Sequence, residues 1–404
     1  MAWTKVVEEF SVYRTAFIST SDGIFQVVLK NVATPWIELE NCNDESSFIR
    51  DTLLKDRKLG FSLTDECLVR FSYSINLSCN RTVLFFTHHH SIIDGWSIPI
   101  TKDSLLQAYM KEPLKSGMSF KNHVKLIMNV DQDESSQFWK HAYAKIEKDM
   151  KSFPLLNALD TSKPTHSSIS KTFPLENGIL KRLLKRYGIT MSTFIRAVWA
   201  LVLKSYHRCD NIAFGTVVSG RDSGIENVER CVGLLINTVP VTVNAYNTLS
   251  ISELFQNIQN FYISSLSHSH SNIMDIKKWN GYSSLDNLFE TLLVYQNYPV
   301  GNVDSSNLPF TFTRIDGDER IEYPLSLIAE SDDEIISFKL RYSPQSLTTE
   351  KANQVLHAIQ TITERLLEGT YQSVEDVIEL SGDARDYLMQ LSRGPKVEVP
   401  YDCV

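Results

Sequence analysis

Residues 191 to about 206 spell a helix that is apolar nearly all round, through Phe194, Ile195, Val198, Trp199, Leu201 and Val202. A helix of that kind must be central and buried. Helices and strands alternate on both sides of it. Ile179, Leu180, Leu183, Leu184 and Tyr187 make one helical face, stopped by Gly188, and Thr190 can cap the central helix. Strands are expected at 212–218, 234–243, 289–296, 308–315, 321–328 and 335–341, with a helix at 252–266. A last long helix repeats Val355, Leu356, Ile359, Ile362 and Leu366 and ends at Gly369.

The first part of the chain carries its own set of elements. Trp3, Val6, Val7 and Phe10 have helical spacing, and Asp22-Gly23 marks a turn between strands at 14–18 and 24–29. A helix at 48–59 precedes an alternating strand at 67–75, which can pair with the apolar run Val83-Leu84-Phe85-Phe86 across a polar turn. A helix from Ser97 to about Met110 follows. Asp131-Gln132-Asp133-Glu134 reads as a charged helix start rather than a binding site, since acidic residues in a first turn complement the helix dipole.

Between these parts, residues 151–170 are rich in Ser, Thr, Pro and Lys and read as a linker. The chain therefore divides at 1–150 and 171–385. A length of 404 residues with 43% hydrophobic residues allows two cores, given a prior of ~150 residues per domain. The fold class is α/β, with mixed sheets and flanking helices. No fixed-period repeat is visible.

The formal charge of −8 and a pI near 5.7 give no basic footprint, which argues against nucleic acid as a partner. The six cysteines follow no C-x-x-C spacing, pointing away from a disulfide framework or zinc knuckle and toward a reducing, cytoplasmic setting. The N-terminus lacks the pattern of a secretory signal, and no apolar stretch approaches the ~20 residues of a membrane helix. Two sequon-like stretches, at Asn76 and Asn80, read as a hairpin turn.

The chemistry concentrates in Thr87-His88-His89-His90-Ser91-Ile92-Ile93-Asp94-Gly95-Trp96-Ser97. The apolar strand delivers histidines to an interior place, Asp94-Gly95 turns the chain, and Ser97 can cap the next helix. Neighbours on a strand point to opposite faces, so of His89 and His90 one faces a given cavity. The same alternation keeps three consecutive histidines from converging on one metal ion, and no H-E-x-x-H helix is present. A serine-hydrolase elbow and a glycine-rich phosphate loop are missing too. What remains is acyl or proton transfer assisted by one histidine, or a purely structural cluster. Arg14, the permanently charged residue of its strand, is a candidate partner for Asp94.

His89-His90-Ser91-Ile92-Ile93-Asp94-Gly95 matches H-H-x-x-x-D-G, and the chain resembles the condensation domains of nonribosomal peptide synthetases. Further stretches follow in family order. Tyr13-Arg14-Thr15-Ala16-Phe17 resembles L-R-T-x-F, and Phe138-Trp139 resembles the F-W before the interlobe linker. Ser219-Gly220-Arg221 with 232–240 is similar to S-G-R and V-G-x-F-x-N-T-x-P. Tyr295-Gln296-Asn297-Tyr298 and 323–327 also resemble family segments.

The resemblance implies two chloramphenicol-acetyltransferase-like lobes in a V-shaped pseudo-dimer, with a tunnel between them. No cofactor is bound directly; donor and acceptor thioesters arrive on the phosphopantetheine arms of upstream and downstream peptidyl carrier domains. It implies that His90 is catalytic, as a base or as a group that orients the acceptor amine. His89 and Asp94 support it, Gly95 gives room, and Arg14 pairs with Asp94. Trp96, Ser219, Asn237 and Gln296 would line the tunnel. Residues 386–404 resemble a connector into an adenylation domain, which favours amide formation over epimerisation. A coenzyme A-dependent acyltransferase and an inactive carrier-binding scaffold are the alternatives. Family members carry a further strand and helix ahead of L-R-T-x-F, whereas in this chain that stretch follows the opening helix.

Overall fold

The structure is a computed structural model that describes residues 1–40, 45–76, 80–115, 117–146, 153–156, 167–175, 178–207, 209–221, 225–284, 286–297, 308, 310–311, 323–332 and 334–378. The proposed connector, Tyr298, most of the linker and most of the strand expected at 308–315 lie outside them.

Helix α1 (Ala2–Glu9) buries Trp3, Val6 and Val7, the face set by its sequence spacing. Strands β1 (Thr15–Thr20) and β2 (Gly23–Val28) form the expected hairpin, turning where Gly23 takes a φ of 130°. A short β3 (Trp36–Glu38) leads to α2 (Glu45–Leu59), then β4 (Val69–Asn76) and β5 (Arg81–His88). These strands make a sheet in the order β3-β4-β5, with β3 parallel and β5 antiparallel to β4. Buried Arg70 ties α2 to the sheet: it pairs with Asp56 at 2.6 Å, donates to the Gly60 carbonyl and lies over the Phe61 ring. Helices α3 (Ser97–Tyr109), α4 (Phe120–Met128) and α5 (Gln132–Tyr143) follow. The acidic run is a helix start, as expected, because Asp131 accepts the N–H groups of Asp133 and Glu134.

The second half begins with β6 (Ser167–Pro174), whose first four residues fall in the stretch read as linker. Pairing with a later strand overrides their polar composition, an outcome that composition cannot foretell. Next come α6 (Ile179–Tyr187), α7 (Met191–His207), β7 (Asn211–Val218), β8 (Asn237–Asn244), α8 (Ile251–Leu266) and α9 (Ile273–Trp279). Strands β9 (Thr291–Gln296), β10 (Leu325–Ser331) and β11 (Ile335–Tyr342), then α10 (Thr349–Glu368) and α11 (Val374–Ile378), complete the described chain.

Their sheet runs β6-β11-β10-β9-β7-β8, with β9 parallel to both neighbours and the other pairs antiparallel. Helix α7 lies across it, covered in turn by α8, α10 and α11, so every residue from Thr193 to Lys204 is buried. That is the position its all-round apolar sequence demands. Helix α5 packs in this half as well, inserting Trp139 and Tyr143 beside Val218, Val239 and Ile276. Among the described residues no helix is long and apolar enough to cross a membrane.

Candidate active site

Strand β5 ends at His88, one residue before the motif pair. The amide of His89 still reaches the Leu68 carbonyl at 2.9 Å, but the chain then turns at His90. Strand alternation therefore does not separate His89 from His90, contrary to the sequence expectation. The cause is local: the ring nitrogen Nδ1 of His89 folds back on Ser91, 3.1 Å from its amide and 2.7 Å from its hydroxyl.

Those contacts select opposite tautomers for the neutral forms of the two rings. Nδ1 of His89 accepts the Ser91 N–H, so its proton sits on Nε2. His90 places Nδ1 2.9 Å from the Ile93 carbonyl, which can only accept, so Nδ1 carries the proton and Nε2 keeps a lone pair. His90 is exposed, and its Nε2 has no hydrogen-bond partner among the described residues. The His88 ring lies beside that of Phe86 on β5, its Nδ1 buried and unpartnered among the described residues. Burial first, then the neighbouring His90 ring, pushes its pKa down to about 4.

The Ile93–Asp94 peptide that orients His90 is held from the second half of the chain. Asp94 is 1% exposed and its carboxylate is bidentate to Arg221, at 2.8 Å to Nη1 and 3.1 Å to Nη2. It also accepts the amides of Ser97, Leu235 and Ile236 and the Ser97 hydroxyl. These donors compensate a fully buried charge. The expected partner, Arg14, lies elsewhere: its Nη1 donates to the Leu29 carbonyl at 2.7 Å, and the Leu29 amide returns to the Arg14 carbonyl. The Arg14–Asp94 pairing is thus corrected to Arg221–Asp94, because Arg14 closes the open end of its own hairpin.

Asp94 also does what Ser97 was expected to do. Ser97 is the first helical residue of α3, its amide capped by Asp94, while its hydroxyl shares its one proton between Asp94 Oδ1 at 2.8 Å and the Gly233 carbonyl at 2.9 Å and accepts the Gly233 amide at 3.0 Å. Use of the Leu235 and Ile236 amides by Asp94 explains why β8 begins at Asn237 rather than at 234. Gly220 is in the left-handed region at φ 65°, and a Cβ there would stand 2.1 Å from the Leu235 carbonyl oxygen. At Gly233 a Cβ would stand 2.2 Å from the Phe120 ring. Only glycine lets these two turns close on the motif.

Of the remaining predicted residues, Trp96 joins the site: its Nε1 donates to the Glu229 carbonyl at 2.9 Å and the Arg221 guanidinium lies 5.4 Å from its ring. Gly95 occupies the turn before α3. Ser219 accepts the Arg221 amide, bracing the arginine. Asn237 is committed to the fold, its amide donating to the Ser269 and Ser271 carbonyls. Gln296 is half-buried at the end of β9, opposite Glu330, and no hydrogen bond among the described residues joins it to the motif.

Sequence reasoning missed Arg221 as the ionic partner, although the Ser-Gly-Arg turn that presents it was in view. It also missed His123, buried on α4, whose pKa is lowered by burial and by the Arg221 charge, with Asp94 acting the other way. The spacing of α4 offered no signal for that placement. Among the described residues no cluster of His, Cys, Asp and Glu could hold a metal ion.

A family model described as the condensation domain matches residues 1–389. Bacitracin synthase 3 of Bacillus licheniformis is 24% identical over 98% of this chain and 6% of its own length. Tyrocidine synthase 3 of Brevibacillus parabrevis is also 24% identical, over 98% of this chain and 6% of its own. Nonribosomal peptide synthetase 5 of Gibberella zeae is 27% identical over 95% and 4%. The chain thus spans less than a tenth of the length of these relatives.

The fold is similar to that of a four-domain nonribosomal peptide synthetase in its holo form bound to AMP and glycine. That match has a TM-score of 0.75 and 19% identity over 95% of this chain and 31% of the other. The X-domain from teicoplanin biosynthesis gives a TM-score of 0.76 with 18% identity, over 93% and 88%. The epimerization domain from the third module of tyrocidine synthetase B gives 0.71 with 15% identity, over 91% and 88%. Architecture, motif order and relatives agree with the chloramphenicol-acetyltransferase-like fold, and the chain belongs to the condensation-domain family of nonribosomal peptide synthetases.

Proposed function

We propose that this chain forms an amide between two carrier-bound thioesters. The free amine of the acceptor attacks the donor thioester carbonyl; the C–N bond forms, the C–S bond breaks, and the amine proton leaves with the departing thiol. One observation carries this assignment. His90 is locked by Ile93 in the tautomer that keeps the Nε2 lone pair available, on a loop fixed by the buried Asp94–Arg221 pair. An imidazole held so can accept a hydrogen bond from the amine or take its proton. Thioesters are already activated, so alignment of two tethered reactants supplies much of the acceleration.

His90 is the catalytic residue in this proposal. His89, Asp94, Arg221, Gly95 and Trp96 shape its loop, and Ser219 supports Arg221. The partners are an upstream and a downstream peptidyl carrier domain bearing phosphopantetheine, with an adenylation domain next in order and the cytoplasm as setting. The test is to load aminoacyl groups on both carriers, add the chain, and look for dipeptidyl thioester by mass spectrometry. Product is expected, with His90→Ala reducing its rate by about 100-fold. Product from coenzyme A thioesters without carriers, or an undiminished rate in His90→Ala, would overturn the assignment.

A further inference from the structure

A line of buried hydrogen bonds runs from the start of the chain to the histidine loop. Tyr13, Thr101, Ser97 and Asp94 are 1%, 4%, 0% and 1% exposed. The Tyr13 hydroxyl meets Thr101 Oγ1, and Thr101 Oγ1 donates to the Ser97 carbonyl at 2.7 Å. A threonine hydroxyl has one proton and the Ser97 carbonyl can only accept, so Tyr13 is the donor to Thr101. Burial holds the Tyr13 phenol protonated, raising its pKa well above the ordinary tyrosine value. Ser97 continues the line through its amide and hydroxyl to Asp94 Oδ1. The next peptide carries the Ile93 carbonyl that orients His90.

A threonine hydroxyl bonded one turn back on its own helix is ordinary. A buried phenol donating to it from another element, 88 residues away, is not required by that habit. The Tyr13 ring also packs in the aromatic cluster of the first half, 4.9 Å from Trp3 and 6.5 Å from Phe10. Packing alone would be met by phenylalanine. The hydroxyl adds a directional tie between that cluster and the first turn of α3.

We propose that Tyr13 and Thr101 are positioning residues of the histidine loop, fixing the first turn of α3 and through it the Ile93–Asp94 peptide that orients His90. The kinetic part of the test rests on the amide-forming assignment; the spectroscopic part does not. The full chain carrying ¹⁵N-histidine reports the His90 tautomer through its two ring-nitrogen shifts. The parent protein is expected to show His90 protonated at Nδ1. Tyr13→Phe and Thr101→Val are expected to mix the tautomers and to lower kcat for dipeptidyl-thioester formation by about fivefold, the size of one net hydrogen bond, with acceptor KM within about twofold. Thr101→Ser, which keeps the hydroxyl, restores both readouts. Lower Tm values with parental His90 shifts and parental kcat would overturn the proposal. If Tyr13→Phe fails to fold, the Thr101→Val and Thr101→Ser pair decides. If the parent makes no dipeptidyl thioester, the assigned reaction falls and the ring-nitrogen shifts alone judge the positioning role.

Discussion

The six-stranded and the three-stranded sheets of this molecule are covered to very different degrees. In the second half, α7 lies on a six-stranded sheet under further helices, and one continuous core runs from Phe153 to Val377. In the first half, a three-stranded sheet shares a smaller core with α1 and α3, and leaves Trp36 50% and Leu84 38% exposed. Yet the smaller sheet carries the histidines. The precision of the site therefore comes less from the strand that delivers the imidazoles than from the well-packed half that grips the loop behind them.

The sharpest way to break this contrast is to remove the grip. Arg221→Ala leaves the Asp94 carboxylate buried without its counter-charge and is expected to cost about 3–5 kcal/mol, read by urea denaturation. Because the arginine comes from one half and the aspartate from the other, aromatic fluorescence of the first half should change at lower urea than that of the second. A single coincident transition with unchanged midpoint would show that the halves do not depend on this pair.

A milder probe uses His88, which lies wholly in the first half. Its folded pKa of about 4 is below the ordinary 6.5, so between those values the unfolded chain binds more protons than the folded one. The contribution of His88 to stability is complete above about 6.5 and is lost as pH falls toward about 4. His88→Gln should therefore flatten the loss of stability across that window. It should not abolish it, since His123, His207, His268 and His270 are shifted in the same direction. An unchanged slope in Tm against pH would remove His88 from the account.

The smallest effect is expected from the arginine that the motif resemblance favoured. Arg14→Ala removes a bond to the Leu29 carbonyl and should cost about 1 kcal/mol, leaving the dipeptidyl-thioester rate unchanged. A loss as large as that of Arg221→Ala would exchange the roles of the two arginines.

Elements with strong periodicity were legible in the sequence: α1, α7, α10, the β1–β2 hairpin and the β4–β5 pair stand close to where their patterns place them. The all-round apolar character of α7 foretold its burial. Elements whose stability comes from distant partners were not legible. β6 is a Ser-rich edge strand that exists through β11, and α4 sits with Leu126, Ile127 and Met128 outward while burying His123. Within the site, local order yielded the His-to-Ser97 turn, but the partner of Asp94 is 127 residues away. A charge on a short turn gives no hint of which buried carboxylate it will meet. Alternation assigned faces to His89 and His90 correctly only for a strand that continued, and Ser91 ends it one residue earlier.

The glycine at Gly220, pressed against the Leu235 carbonyl, has a consequence for anyone recombining such proteins. The turn at 219–221 and the segment 231–236 touch each other and the loop at 94–97 through backbone atoms as well as side chains. Those three pieces form one inheritable cassette, scattered in the chain but contiguous in space. A hybrid spliced anywhere between the two halves would receive its histidine loop from one parent and the socket for that loop from the other.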